Sequence, residues 1–174
     1  MEVIARIRFT TPCLGAERKP RCDTMLRDKE GRVILMQSWW RSALRFAAKA
    51  MCRHQDDIEN IQVDPVVDGT TRIYKRYFST ASFQEHECFD AGDEITVRFC
   101  LPNAIPVESF TELLSTAGKY VGISPYGFKL DFGRFAVLEV VKKHAGNNPK
   151  KPQPDSSRPG PELPTGPVAD VHKA

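Results

Sequence analysis

The sequence predicts an α+β fold in which an antiparallel sheet carries two helices on one face. Two segments place apolar residues at the 3.6-residue spacing of an amphipathic helix, and strand-like segments precede, separate and follow them. The order strand, helix, strands, strand, helix, strand is that of a ferredoxin-like (RRM-like) βαββαβ sheet, here with an inserted hairpin. In this fold class, the open face of the sheet often receives single-stranded nucleic acid.

The first predicted elements are a strand, a loop and a hairpin. Residues 3–9 alternate apolar and polar side chains, which is typical of a strand with one buried face. The segment 15–22 is rich in Lys and Arg and is expected to form an exposed basic loop. Residues 25–36 predict a hairpin, because its turn at 28–31 ends in a glycine that tolerates a positive φ.

The strongest helix signal follows the hairpin, with Ser38 as the predicted N-cap. An apolar stripe is expected to face the sheet, formed by Trp40, Ala43, Leu44, Ala47, Ala48 and Met51. A different face carries cations at four-residue spacing, with an indole ring along its border: Arg41, Arg45 and Lys49, bordered by Trp39. The helix is therefore expected to bury one side and present a basic side to solvent.

The middle of the chain predicts two strands, at 58–67 and 71–80, joined through a turn at Asp68 and Gly69. Pro65 limits the first of them to an edge or broken strand, because proline cannot donate a backbone hydrogen bond.

Three further elements complete the predicted domain. Residues 94–101 alternate as a one-sided strand, and residues 107–120 have the apolar spacing of a second amphipathic helix. Residues 132–141 predict a final strand, whose β-branched content favours a buried central position in the sheet.

The composition changes after residue 145, where seven of the 13 prolines lie among Gly, Ser and charged residues. Such a segment cannot bury enough apolar surface to offset its ordering entropy. The sequence therefore predicts one folded domain, residues 1–145, and a disordered Pro-rich tail, residues 146–174. Its PxxP-like stretches leave docking to a partner open as an alternative to a passive tail.

Positive charge is concentrated in the first third of the chain. Residues 1–53 contain 12 Lys and Arg against five Asp and Glu, whereas residues 54–146 contain nine against 14. A basic region beside a mildly acidic remainder favours a partner that carries phosphate, although uneven solvated charge alone gives the same count.

The expected compartment is the cytoplasm. No apolar run approaches the roughly 20 residues that cross a bilayer, and the N-terminal segment alternates apolar and charged residues, unlike a signal peptide. We therefore expect no membrane partner. The five cysteines are odd in number and contain no C-x-x-C pair, so buried free thiols are favoured over a disulfide framework.

No motif of an ordinary enzyme class is present: the sequence contains no Walker loop, Rossmann glycine fingerprint, nucleophile elbow or HExxH. Ligands for zinc are available in the pairs Cys52 with His54 and His86 with Cys88, but neither pair has the spacing of a known zinc finger or ribbon. We expect neither a metal nor a cofactor.

Several segments resemble, in the right order, the RAMP superfamily, whose RNA-recognition-like proteins form the backbone subunits of CRISPR effector complexes. The strand ending at 9–15 and the Arg-Asp-x-x-Gly hairpin at 27–31 are similar to family motifs, as is the helix segment at 40–45. The glycine-containing loop at 122–128 and the following strand look like a worn form of the family's closing motif. The Ile-Pro-Gly-Ser-Ser that usually precedes the first helix is replaced by residues 34–38, so the chain resembles a short, divergent member.

The resemblance implies a non-catalytic subunit that binds guide RNA, or another single strand, in an antiviral ribonucleoprotein complex with other subunits or copies of itself. Residues expected to contact nucleic acid are Arg18, Lys19, Arg21, Trp39, Arg41, Arg45 and Lys49. The cations would neutralise phosphates, and the aromatic residues, including Tyr74, Tyr77 and Phe78, are candidates for stacking on bases. Whether the strand is RNA or DNA stays open.

Two alternatives remain at this point. In some family members an aspartate near the position of Asp23 cleaves target RNA, and guide-processing relatives use a histidine, for which His54 is the candidate. A ribonuclease is thus the second hypothesis, although a structural Asp23 is favoured. The third hypothesis is a protein-interaction protein, of viral or accessory origin, that keeps the fold without binding nucleic acid.

Overall fold

The computed structural model describes residues 1–53, 56–79, 82–126 and 130–143, without the side chains of residues 56 and 57. The helices in these ranges are α1 (Gln37–Ala50), α2 (Asp56–Glu59) and α3 (Val107–Tyr120). The strands are β1 (Glu2–Phe9), β2 (Cys13–Leu14), β3 (Cys22–Asp23), β4 (Leu26–Arg27), β5 (Val33–Ile34), β6 (Gln62–Val63), β7 (Val66–Val67), β8 (Arg72–Ser79), β9 (Ser82–Phe89), β10 (Glu94–Cys100) and β11 (Phe135–Lys142). This is an α+β architecture, as the sequence predicts. No helix in the described ranges is both long and apolar enough to cross a membrane.

The main sheet has the strand order β11-β1-β10-β6, and all its neighbours run antiparallel. The alternation predicted for residues 3–9 is confirmed, because the odd-numbered residues of β1 are buried while Arg6 and Arg8 are exposed. β10 alternates in the same way, with Ile95, Val97 and Phe99 buried. One face of the sheet therefore supplies the core.

Both long helices cover that core face. Trp40 of α1 packs edge-on against Phe99 of β10, with ring centroids 5.4 Å apart, and Phe110 of α3 meets the same phenylalanine at 4.9 Å. The apolar stripe predicted for α1 is buried from Trp40 to Ala48, and α3 has the predicted bounds. The predicted N-cap is wrong. α1 begins at Gln37 after Met36, because the backbone N–H of Leu35 already binds the carbonyl of Pro65 and fixes the turn into the helix before Ser38.

The predicted hairpin at 25–36 is confirmed by the antiparallel pair β4 and β5. Its turn is stabilised by Asp28, whose Oδ1 accepts hydrogen bonds from the backbone N–H groups of Glu30 and Arg32 at 3.1 and 2.8 Å. Gly31 adopts φ +81°, a conformation that L residues rarely adopt.

The prediction for the middle of the chain is wrong in two respects. Residues 58–67 do not form one strand, because Ile58 lies in α2 and Pro65 separates β6 from β7. β7 pairs with β5 instead of β8. The partner of β8 is β9, a strand that the sequence pattern did not predict, and together they form a long antiparallel hairpin, called here the β8–β9 ribbon.

The last strand was also misplaced. β11 starts at Phe135, after a turn in which Gly133 has φ +71°, and it forms an edge of the main sheet instead of a central strand. β1 and β10 occupy the centre, and the branched residues of β11 are mostly half-buried or exposed. The predicted tail, residues 146–174, lies outside the described residues.

Candidate nucleic-acid interface

The β8–β9 ribbon presents an unusual concentration of exposed aromatic side chains. Tyr77 is 63% exposed, Phe78 57% and Phe83 49%, and Ile73 on the same strand as the first two is 58% exposed. β9 is paired along its other edge with β2 and β3, whereas β8 has no second strand neighbour within the described residues. The ribbon is thus joined to the rest of the fold through β9. It presents aromatic rings to solvent, together with the outer edge of β8.

Cations lie on these rings. Lys75 Nζ is 5.0 Å from the centre of the Phe83 ring, which is also 5.6 Å from the ring of Tyr77. The Arg76 guanidinium lies 4.8 Å from the ring centre of Phe78. Because bases have both a π-face and a nearby phosphate, a surface that alternates rings and cations is chemically suited to a single strand.

The segment between β2 and β3 forms the exposed loop that the sequence predicts. An isolated bridge between Glu17 and Thr24 closes it, and Arg18, Lys19 and Arg21 are exposed. Lys19 binds Glu17 at 2.9 Å. Arg18 and Arg21 form no ion pair within the described part of the chain. Residues 18–21 are called the basic loop below.

Asp23 is buried below the basic loop. β3 runs parallel to β9 with Asp23 opposite His86, and the two side chains are 1% and 0% exposed. Asp23 Oδ2 lies 3.6 Å from His86 Nδ1 and 3.4 Å from the hydroxyl of Tyr126. His86 Nδ1 is also 3.4 Å from the carbonyl of Gly15. Because Asp23 has no surface, it cannot touch a substrate phosphate in this arrangement.

Tyr126 connects this buried pair to the surface. Its ring meets the edge of His86 with centroids 5.5 Å apart, and the Arg76 guanidinium lies 5.3 Å from its centre. Burial raises the pKa of the Tyr126 phenol, and the charge and hydrogen bond of Asp23 raise it further. The positive charges of Arg76 and Arg18 counteract this rise.

The hairpin motif has a structural role at the base of the ribbon. Arg27, of the Arg-Asp-x-x-Gly segment, forms an ion pair with the largely buried Glu87 of β9. Glu87 also accepts hydrogen bonds from the Thr71 hydroxyl and from the Met25 N–H at 2.9 Å. Burial raises the pKa of the Glu87 carboxyl, but these donors outweigh it and lower the pKa below its ordinary value.

The predicted basic face of α1 lies apart from the ribbon and is partly engaged. Arg45 forms an ion pair with Glu59, and Arg41 is half-buried, with a buried Nε that has no partner in the described ranges. Lys49 is exposed. Trp39 is half-buried and packs against the core. Contacts of these four residues with nucleic acid stay a prediction.

The open face of the main sheet is chemically different. Arg8 binds Glu94 at 2.6 Å, and Arg6 lies 3.9 Å from both Glu94 and Glu139. The outward residues of β1, β10 and β11 include no aromatic side chain. Arg98 of β10 is also exposed on this face and has no ion pair with a described residue. The face offers no stacking surface, and Arg6 and Arg8 are already paired, so it is a poorer candidate than the ribbon.

A cavity of about 420 Å³ between α1 and α3 offers no alternative site. Its lining is mainly apolar, and its one charged group, Arg53, binds Glu112 at 2.6 Å and the carbonyl of Ser109. No group of three or more His, Cys, Asp and Glu side chains in the described ranges is placed to hold a metal ion. His54, the predicted ribonuclease and zinc candidate, lies outside those ranges.

The chain matches no protein-family model, and no curated protein matches it significantly.

Sequence reasoning named part of this candidate interface. It named Tyr74, Tyr77 and Phe78 but missed Phe83, because it did not predict β9. It also gave no role to Arg76 or Tyr126. The alternation of rings and cations in residues 72–78 is the signal that could have identified Arg76.

Proposed function

We propose that this protein binds single-stranded nucleic acid, with RNA as the first candidate, through the β8–β9 ribbon and the basic loop. The observation that carries the proposal is the exposure of Tyr77, Phe78 and Phe83 with Lys75 and Arg76 lying against two of their rings. Exposed large apolar groups are tolerated at binding surfaces, and aromatic rings stack on any base.

The ion pairing of the arginines supports the ribbon and the basic loop as the binding surface. Many arginines elsewhere in the described structure face carboxylates, as Arg8 does with Glu94 and Arg72 with Asp93. Arg18, Arg21 and Arg76 face no carboxylate among the residues that the structure describes. Because an unpaired exposed cation can neutralise a phosphate without first losing a partner, these three are the best placed to contact a nucleic-acid backbone.

The proposal extends to the fold and the assembly. The strand order β11-β1-β10-β6, with two helices on one face, supports a ferredoxin-like sheet of order 4-1-3-2, into which the ribbon and the small hairpin would be inserted. Together with the RAMP-like motifs, this supports a non-catalytic, guide-RNA-binding subunit of a CRISPR-like ribonucleoprotein complex, acting in the cytoplasm with other subunits or further copies.

Replacing Tyr77 and Phe83 by alanine tests the proposal. Base stacking is worth roughly 1–3 kcal/mol per engaged ring, so the double variant should bind an oligouridine RNA at least about tenfold more weakly. Fluorescence anisotropy at low salt measures the affinity, and an oligodeoxythymidine in parallel compares DNA with RNA.

Tyr120→Ala is the matched control. Tyr120 is 57% exposed and carries Lys119 at 5.0 Å over its ring, but it lies at the end of α3. The Tyr120→Ala variant should bind the oligouridine RNA with the affinity of the wild type. Equal affinity of the ribbon variant and the control would refute the proposed interface. The protein-interaction alternative would be favoured if the wild type bound no oligonucleotide and recovered a protein partner that the Tyr77→Ala/Phe83→Ala variant did not recover.

A further inference from the structure

Arg76 is a cation that is held in place without being neutralised. Its guanidinium lies between the rings of Phe78 and Tyr126, at 4.8 and 5.3 Å from their centres, and forms no ion pair with a described residue. Arg72, four residues earlier on the same face of β8, instead lies 3.0 Å from Asp93 and 3.8 Å from Asp90. Ring stacking orients a guanidinium while leaving its N–H donors free for a planar acceptor.

The support for Arg76 extends inward. Tyr126, which carries the guanidinium, has its hydroxyl 3.4 Å from Asp23 Oδ2 and its ring against the edge of His86. Asp23 Oδ1 and His86 Nε2 are fully buried and have no hydrogen-bond partner in the described ranges. A buried carboxylate that is incompletely paired costs stability, so its presence next to Tyr126, one of the two rings that orient Arg76, calls for a role at that site.

We infer that Arg76 forms a binding site for one phosphate group of a nucleic-acid strand, and that Tyr126, Asp23 and His86 are positioning residues which fix Arg76 in that site. This inference rests on the proposed function and deepens it, because it assigns the cation that holds the backbone beside the stacked bases. It also gives Asp23 a role other than catalysis. The phosphate is either an internal diester or the terminal monoester of the strand.

The direct test is the salt dependence of RNA binding. For a single strand, each phosphate contact contributes about 0.7 to the slope of log affinity against log salt concentration. Arg76→Gln should lower this slope by about that amount and weaken binding of an oligouridine RNA about tenfold. Arg72→Gln, which removes an arginine that already has carboxylate partners, should change neither. Oligouridines with and without a 5′-phosphate distinguish a terminal from an internal phosphate.

The positioning role has its own readout. Asp23→Asn should weaken binding about threefold, and it should have no further effect when Tyr126 is already phenylalanine, because the two changes break one connection. Tyrosinate absorbance, taken as the difference from Tyr126→Phe, should show that Asp23→Asn lowers the pKa of Tyr126. Tyr126→Leu, which removes the ring, should weaken binding more than Tyr126→Phe.

Two outcomes overturn the inference. One is an unchanged salt slope in Arg76→Gln while Tyr77→Ala/Phe83→Ala loses affinity, which would leave the proposed function intact and remove the phosphate site alone. The other is additive effects of Asp23→Asn and Tyr126→Phe, which would show that Asp23 acts independently of Tyr126. If the wild type binds no oligonucleotide, the proposed function and this inference fail together.

Discussion

Glu87 shows how one residue ties a sequence motif to the candidate interface. Its carboxylate receives Arg27 from the hairpin, Thr71 from the segment before the ribbon and the backbone N–H of Met25. Arg27 and Met25 belong to the hairpin segment and Thr71 precedes the ribbon, so the charge of Glu87 holds the base of the ribbon against the hairpin. A buried donor that loses its acceptor pays the full cost of desolvation.

Glu87→Gln should therefore lower the free energy of unfolding by about 1–3 kcal/mol near neutral pH. The pKa of Glu87 in the folded protein lies below the ordinary value of 4.5, so its contribution is complete above that value and is lost as the pH falls through the lowered pKa. Urea unfolding from about pH 7 to about pH 3 should show the difference between variant and wild type shrinking with acid.

Glu30→Gln is the control for this change. Glu30 belongs to the same hairpin, and its carboxylate forms an exposed ion pair with Arg32 at 3.3 Å. Exposed ion pairs contribute about 1 kcal/mol at most, so this variant should unfold nearly like the wild type. If Glu87→Gln behaved in the same way, Glu87 would have no special role.

At the scale of elements, the contact between α3 and β11 depends on a helical glycine. A Cβ at Gly118 would lie 2.3 Å from the carbonyl oxygen of Phe135, closer than real Cβ atoms come. Helix propensity alone would make Gly118→Ala stabilising by about 1 kcal/mol. We expect steric overlap to dominate and to lower the free energy of unfolding by about 1–3 kcal/mol, measured by urea unfolding. Ser115→Ala, at an exposed position of the same helix, should be neutral or slightly stabilising.

The elements that could be predicted from the sequence are those whose periodicity reports burial directly. α3 has both its predicted ends, and β1 and β10 alternate as expected, because each packs one face on the core. β9 has no such pattern. It is buried on both faces from His86 to Phe89, and its polar residues face Asp23, Arg27 and other distant groups that a local pattern does not contain.

The residues of the candidate site could likewise be predicted only where a local sequence pattern reports them. Exposed residues within a charged segment, such as Arg18 and Arg21, could be identified from composition. Arg76 and Tyr126 are 50 positions apart in the sequence and meet only through the fold. The burial of Asp23 follows from the parallel pairing of β3 with β9, which no property of residues 22–23 signals.

For the whole molecule, binding of a polyanion depends more on the location of the unpaired cations than on the formal net charge of +3. Arg6 and Arg8 on the open sheet face are already matched by Glu94 and Glu139, whereas Arg18 and Arg21 of the basic loop have no acidic partner among the described residues. Binding of a polyanion at the loop therefore releases counterions, and binding at the sheet would first have to break ion pairs.

This difference predicts that two double variants with the same net charge will behave differently. Arg18→Gln/Arg21→Gln should weaken binding of an oligouridine RNA and lower the slope of log affinity against log salt by up to about 1.4, since each lost contact contributes about 0.7. Arg6→Gln/Arg8→Gln removes the same charge from the sheet face and should leave the slope unchanged. Anisotropy titrations at several salt concentrations measure both. Equal losses in the two variants would mean that net charge alone attracts the strand, and a loss confined to the sheet variant would move the interface to the open face.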